Sequence, residues 1–184
     1  MDLLTPTRFW FIRHGETDWN AQNLSQGDVD IPLNATGRAQ AQSAAALMKG
    51  HPITTIVSST LSRALDTAQA IAAVMGVPVE TDDGLRETKF GEQEGKPMGN
   101  WYDTWIAGTY TPRGAETFAE LRARASAAVN RSLAKPPAVL VIAHGGLFRA
   151  LRAEMHLEIN VRAPNAVPMF CEPGTPKWTL TPVA

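Results

Sequence analysis

Three short apolar runs in this chain each end in a cluster of polar residues suited to handling phosphorus. Phe9-Trp10-Phe11-Ile12 runs into Arg13-His14-Gly15-Glu16-Thr17. Thr54-Thr55-Ile56-Val57 runs into Ser58-Ser59-Thr60-Leu61-Ser62-Arg63, and Ala138-Val139-Leu140-Val141-Ile142-Ala143 into His144-Gly145-Gly146. A neutral imidazole is a nucleophile, and a guanidinium offers forked N–H donors that match the oxygens of a tetrahedral phosphoryl group. Two of each around one point would suit transfer of a phosphoryl group to nitrogen. Taken singly, each residue has an ordinary structural reading. A lone histidine after a strand is more often structural than catalytic, Arg13 can pair with a carboxylate, and Arg63 can sit solvated on a helix. The glycines shift the balance. Gly15 and Gly145-Gly146 let main chain approach a ligand closely, and Gly145 opens a helix whose first N–H groups favour an anion.

The elements that must bring these residues together are legible in outline. The three apolar runs have strand length and no alternation, as expected for strands covered on both faces. Val77-Pro78-Val79 begins a further short strand. Val167–Cys171 and Lys177–Thr181 read as two later strands divided by Pro173-Gly174. Asn34 caps a predicted helix through about Met48, ended by Gly50 and Pro52. Leu61–Met75 is an Ala-rich helix stopped by Gly76-Val77-Pro78. From Glu116, the residues Phe118, Leu121, Ala125, Ala128 and Leu133 share one stripe, which Pro136-Pro137 ends. Gly145–Leu157 is the last helix. Strands alternating with helices predict an α/β fold, a three-layer α/β/α sandwich with a mainly parallel central sheet. In such a sheet the carboxyl ends of the strands share the edge where ligands bind, so Arg13, His14, Arg63 and His144 are expected to converge. The Gly-rich, aromatic segment 91–114 fits neither pattern and is read as a lid-like insertion within a single domain, 1–184.

Bulk properties bound the function. The chain has 184 residues, 44% of them hydrophobic, with 17 Lys and Arg against 18 Asp and Glu. That is enough for one packed core, and the charge balance points to no nucleic-acid or membrane partner. The single cysteine, Cys171, forms no internal disulfide and has no metal-ligand neighbours, so a small buried apolar role is expected. Met1–Arg8 carries no leader pattern, and no apolar stretch approaches the ~18 residues of a membrane span. A soluble cytoplasmic protein is expected. The oligomeric state is left open, although edge strands near the C-terminus permit pairing.

Arg13-His14-Gly15-Glu16-Thr17, followed by Trp19-Asn20, resembles the signature of the histidine phosphatase superfamily, also called phosphoglycerate mutase-like. The similarity continues through Gln26-Gly27, Asp30, Pro32-Leu33, Gly37 and Gln40-Ala41. It resumes in Ser58-Ser59, Arg63-Ala64, Thr67-Ala68, Leu85-Arg86-Glu87, Phe90-Gly91 and Glu94-Gly95, and ends at His144-Gly145-Gly146. The ordered set is highly specific. The resemblance implies that His14 is the phosphorylated histidine, that Arg13, Arg63 and His144 form the phosphate pocket, and that Glu87 is the proton donor. It further implies that Asn20 contacts the phosphoryl oxygens and that Gln26 and Gly27 form the pocket wall, beside Gly145.

Nearby guanidiniums should lower the pKa of His14 and keep it neutral, with a neighbouring carbonyl, not identifiable from sequence, fixing its tautomer. A carboxyl beside a phosphate dianion should hold its proton, as Glu87 must to serve as general acid. His144, if protonated, would offset charge on the equatorial oxygens. No metal or other cofactor is required, and Glu16 and Asp18 read as structural or orienting groups. The expected partner is a small phosphate ester. Three readings remain: a phosphatase; a phosphoglycerate mutase-type transferase, disfavoured because Thr88-Lys89-Phe90-Gly91 replaces the mutases' Arg-His-Tyr-Gly after the donor Glu; and a non-catalytic phospho-ligand binding module. In the insertion, Trp101 and Trp105 are expected to pack on the body at i and i+4, as is Trp19, while Tyr102 and Tyr110 stay open as substrate contacts.

Overall fold

A computed structural model describes residues 3–183. Met1 and Asp2, at the head of the segment read above for a leader, lie outside the described residues. In chain order the elements are β1 (Phe9–Arg13), α1 (Asp18–Ala21), α2 (Ala35–Met48), β2 (Thr55–Ser58), α3 (Ser62–Met75), β3 (Val79–Thr81), α4 (Trp101–Ile106), α5 (Phe118–Leu133), β4 (Val139–Ala143), α6 (Gly145–Glu154), β5 (Met169–Glu172) and β6 (Thr179–Pro182). The strands form one sheet in the order β3-β2-β4-β1-β5-β6. The first four are mutually parallel, and β5 and β6 are added antiparallel.

The unbroken apolar runs are explained by two cores, one on each face. Phe9 and Phe11 of β1, Val57 of β2 and Val139, Val141 and Ala143 of β4 point to a core shared with α5 and α6. Trp10, Ile12, Ile56, Leu140 and Ile142 point the other way, onto Ala44, Ala45 and Met48 of α2 and Ala64, Ala68 and Ile71 of α3. Each strand keeps a period of two but buries both phases. Helices thus cover the sheet on both faces, in three layers.

Helix ends follow local chemistry. Asn34 caps α2, its side chain accepting from the Gly37 amide. The helix expected from Glu116 starts at Phe118, because Thr117 and Glu120 form a capping box before it. The last helix stops at Glu154, earlier than Leu157, because His156 turns to φ 57°. Among the described residues no helix is long and apolar enough to cross a membrane. The segment 91–114 leaves and rejoins the body at one place, where Phe90 and Ala115 form an antiparallel bridge. Its aromatic residues stack edge-to-face around Phe90 and bury Trp105 in the α5–α6 core. The indole N–H of Trp105 donates to the Glu116 carbonyl, so both tryptophans pack as expected.

Candidate active site

Sheet register sets the site. Arg13 on β1 lies opposite Ala143 on β4, and Ser58 on β2 opposite Ile142. One step further, three chains leave the sheet side by side carrying His14, His144 and Ser59. The His14 amide donates to the Ala143 carbonyl and the Ser59 amide to the Ile142 carbonyl. The imidazoles of His14 and His144 stand 5.1 Å apart, centre to centre. A cavity of about 260 Å³ opens here, at the small end of the range for ligand pockets. Arg13, His14, Asn20, Gln26, Gly27, Arg63, Glu87 and Gly145 all line it. His144 is fully buried and lies just behind the wall, beside His14.

His14 Nδ1 lies 2.7 Å from the Gly15 carbonyl. A carbonyl only accepts, so Nδ1 carries the hydrogen and the lone pair rests on Nε2. Burial, and then the charges of Arg63 and Arg13, hold this imidazole well below the usual histidine range. It is a neutral nucleophile at neutral pH. His144 is also driven well down, by burial first and then by Arg63, His14 and Arg13. In the unliganded pocket His144 is therefore held neutral: two imidazoles and two guanidiniums this close disfavour a third cation. His144 Nε2 meets the Ser59 hydroxyl at 2.7 Å, while its Nδ1 has no hydrogen-bond partner.

Both arginines are tethered by carbonyls and keep donors in reserve. Arg13 Nη1 donates to the Ala163 carbonyl, and Arg63 Nη1 and Nη2 donate to the Val29 and Gly27 carbonyls. The Nε–H of each is buried without a partner, a costly state unless a ligand satisfies it. Burial pulls both guanidiniums down to about 10, so they stay charged at neutral pH.

The first N–H groups of α6 were expected to favour an anion, and two of them are taken by the carboxyl group of Glu87. Gly146 N–H donates to Oε2 at 2.7 Å and Leu147 N–H to Oε1 at 2.9 Å, while the Thr88 amide donates to Oε1 at 3.0 Å. Gly146 makes this fit possible: a Cβ there would lie 2.6 Å from Oε1. Glu87 is thereby singled out from Glu92 and Glu94. Glu92 is bonded to Tyr110 and the Arg113 amide, and Glu94 to the amides of Asp28 and Phe90.

Asn20 belongs to α1, a helix the sequence reading missed because four residues show no periodicity. Its Oδ1 accepts from the Thr17 amide, completing a capping box, and from Asn165 Nδ2. Asn165, also missed, donates to the His14 carbonyl. Gln26 is held by the Thr17 hydroxyl through its Oε1. In each amide this fixes the oxygen on protein and leaves the NH₂ end for the cavity. Tyr102, left open above, lines the cavity, whereas Tyr110 is exposed and its hydroxyl donates to Glu92 Oε1. Arg149 and Arg162, which were not singled out from the sequence, also line it.

The sequence model of the histidine phosphatase superfamily (branch 1) matches residues 9–170. The uncharacterized phosphatase PhoE of Bacillus subtilis is 37% identical over 152 residues, covering 81% of this chain and 77% of PhoE. The probable phosphoglycerate mutase GpmB of Yersinia enterocolitica is 38% identical over 173 residues, 85% of this chain and 80% of GpmB. Among solved structures, a mycobacterial glucosyl-3-phosphoglycerate phosphatase complexed with VO3 superposes with a TM-score of 0.83 at 30% identity, covering 94% of this chain and 96% of that one.

Proposed function

Because the chain belongs to the histidine phosphatase superfamily, branch 1, we propose that it is a metal-independent phosphatase that hydrolyses a small phosphomonoester through a phosphohistidine on His14. The observation that carries this reading is the free Nε2 lone pair of His14, fixed by the Gly15 carbonyl between two buried guanidiniums. Nε2 attacks phosphorus in line as the ester P–O bond breaks. The leaving oxygen takes a proton from Glu87, whose Oε2 holds only one N–H donor and has a lone pair to spare. Water then attacks the phosphorus as the P–N bond breaks, giving a proton to the ionised Glu87 and releasing phosphate and neutral His14. The unpartnered Nε–H groups of Arg13 and Arg63, with Nδ1 of His144, supply donors for the equatorial oxygens. Guanidiniums thus furnish the positive charge that a metal ion would otherwise bring.

The mycobacterial relative and PhoE are named as phosphatases, and GpmB as a probable mutase. The phosphatase reading is favoured here because the run that marks the mutases after the donor Glu is absent, and because two of the four cations of segment 85–116 are paired: Arg86 with Asp28 at 2.8 Å and Arg113 with Glu92 at 3.7 Å. A mutase needs them to cradle a second phosphate. In the same reading, segment 91–114 acts as a lid over the leaving group, and the protein works in the cytoplasm with Cys171 as a free, buried thiol. The test is phosphate release from p-nitrophenyl phosphate with chelator present. The wild type turns over, and acid-labile phosphate is trapped on the protein in a rapid quench; His14→Ala abolishes both. No turnover of any ester by the wild type would return the chain to the binding-module reading.

A further inference from the structure

The carboxyl group of Glu87 rests on the first amides of α6, but its main chain is held from another side, by α5. Arg124, Ala128 and Arg131 stand at i, i+4 and i+7 on that helix and so share one face. All three meet the chain that leads into Glu87. Arg131 grips Asp82 through two N–H groups, Nε to Oδ2 and Nη2 to Oδ1, each at 2.9 Å. The turn at Gly84 lies so close that a Cβ there would stand 2.8 Å from that of Ala128 and 2.6 Å from Arg131 Nη2. Arg124 Nη1 donates to the Gly84 carbonyl at 2.9 Å and to the Arg86 carbonyl at 2.8 Å. The second of these belongs to the peptide bond that joins Arg86 to Glu87.

Arg124 is itself aimed. Its Nε and Nη2 form a two-point pair with Glu116, at 2.8 and 2.6 Å, a geometry suited to the planar fork of a guanidinium. The main chain of Glu116 is fixed in turn: its amide donates to the Lys89 carbonyl and its carbonyl accepts from the Trp105 indole. Lys89 lies two residues past Glu87. Arg124 thus clamps the chain before Glu87, Glu116 clamps the chain after it, and the ion pair joins the two clamps. Neither side chain lines the cavity that His14 faces. Both line a separate cavity of about 980 Å³, and Glu87 stands on the wall between the two. Since the nitrogens of Arg124 are all engaged within the protein, its influence on the reaction runs through Glu87.

We propose that Arg124 and Glu116 are positioning residues for the proton donor: their ion pair sets the main chain on both sides of Glu87, so that its carboxyl group meets the α6 amides and the leaving oxygen together. The inference rests on the phosphatase reading, which makes Glu87 the acid. A misplacement of 1 Å by a remote substitution costs on the order of 10²-fold in rate. A displaced general acid is missed only where the leaving group needs a proton. The effect of the pair therefore grows with the basicity of the leaving oxygen, a selectivity that a purely structural ion pair would not show.

The test compares Arg124→Gln with wild type on p-nitrophenyl phosphate and on glycerol 3-phosphate. The alkyl ester loses about 10- to 100-fold in kcat, and the aryl ester less than about threefold. Glu116→Gln, which takes away the two-point partner, gives the same pattern in weaker form. Arg124→Lys keeps the charge without the fork and stays closer to Arg124→Gln than to wild type. In the Glu87→Gln background, Arg124→Gln costs the alkyl ester nothing further, because the group it positions is gone. Equal losses on the two esters, or a full further loss in the double variant, overturn the proposal. Amide hydrogen exchange reads the same device without turnover. Arg124→Gln speeds exchange at Thr88, Gly146 and Leu147, the amides that donate to Glu87, about tenfold relative to Val141 and Ile142 on β4. A uniform acceleration, the mark of mere destabilisation, overturns the positioning role. Wild type that releases no phosphate from either ester sinks the phosphatase reading instead, while the exchange pattern still decides whether the pair places Glu87.

Discussion

His14 and His144 are 5.1 Å apart and both neutral, yet their hydrogen bonds give them different tasks. The carbonyl on Nδ1 of His14 leaves its Nε2 as a nucleophile. For His144 to donate to a phosphoryl oxygen through its unpartnered Nδ1, Nε2 must accept from the Ser59 hydroxyl, whose oxygen in turn accepts from the Leu61 amide at 3.2 Å. Ser59 is thus a positioning residue for the tautomer of His144. Ser59→Ala leaves a buried ring nitrogen unpaired, a loss of about 1–3 kcal/mol, which, if it falls on the transition state, is roughly five- to 150-fold in kcat. That loss should fall equally on p-nitrophenyl phosphate and on an alkyl phosphate. Glu87→Gln should behave differently, costing the alkyl phosphate about 10²–10⁴-fold while sparing the aryl ester, whose leaving group needs no proton. Equal losses in both variants would remove the distinction between an acid and a tautomer lock. Arg13, His14 and His144 were legible from the chain because each abuts a strand end and Arg63 because it follows one closely, whereas Glu87 was set apart from Glu92 and Glu94 only by the family resemblance. Ser59, Asn165, Arg149 and Arg162 were not assigned roles, since hydroxyls, amides and loop arginines are common and only tertiary contact gives them partners.

The elements deliver these residues through a few close contacts between main chains. The loop after β1 crosses the N-terminus of α2, where a Cβ on Gly15 would lie 2.4 Å from the Gly37 carbonyl oxygen and a Cβ on Gly37 would lie 2.0 Å from that of Glu16. Backbone cannot yield there as a side chain can. Gln40 on the same helix accepts from the Glu16 amide, and Thr67 on α3 accepts from the Gly15 amide. Two helices therefore hold the turn that aims His14. Gly37→Ala should cost about 1–3 kcal/mol through forced overpacking. For a chain of this size, that lowers the melting temperature by roughly 2–4 °C per kcal/mol. Activity should fall further than the fraction unfolded accounts for, because the His14 turn moves; a folded, fully active Gly37→Ala protein would show that the contact does not position the nucleophile. Most elements were readable, since the strands of the parallel core lack alternation for a simple reason: both phases are buried. What escaped was the shortest piece: α1 has no room for periodicity and shows only in the capping pair Thr17 and Asn20, whereas α4 was anticipated from Trp101 and Trp105 at i and i+4 and is defined by aromatic packing rather than by an amphipathic stripe.

At the scale of the whole molecule, a chain with a net charge of −1 concentrates cations at one sheet edge and buries two histidines beside them. The pH dependence of stability follows. Unfolded, His14 and His144 each titrate near 6.5; folded, both are driven well below that by burial and by arginine charge. Below pH 6.5 the unfolded chain therefore binds protons that the folded one refuses, and stability must fall with pH. Above 6.5 this contribution is fully present. Beneath it the loss approaches about 1.4 kcal/mol per pH unit for each histidine, or about 2.7 for the pair, until the folded pKa values are reached. The carboxylates lowered by hydrogen bonds, Asp82, Glu92 and Glu120, lose their contributions only as pH drops past the ordinary carboxylate range. The interval from 6.5 to 5 thus isolates the histidines. Thermal melts across it should show a steep decline, shallower with saturating inorganic phosphate, because a bound dianion makes protonation of either imidazole less costly. Phosphate should also raise stability at pH 7 by about 2.7 kcal/mol at a hundred times its Kd. A flat melting curve between pH 6.5 and 5 would mean that the imidazoles are solvated, and that the pocket lacks the dry, positive surroundings that keep His14 ready to attack.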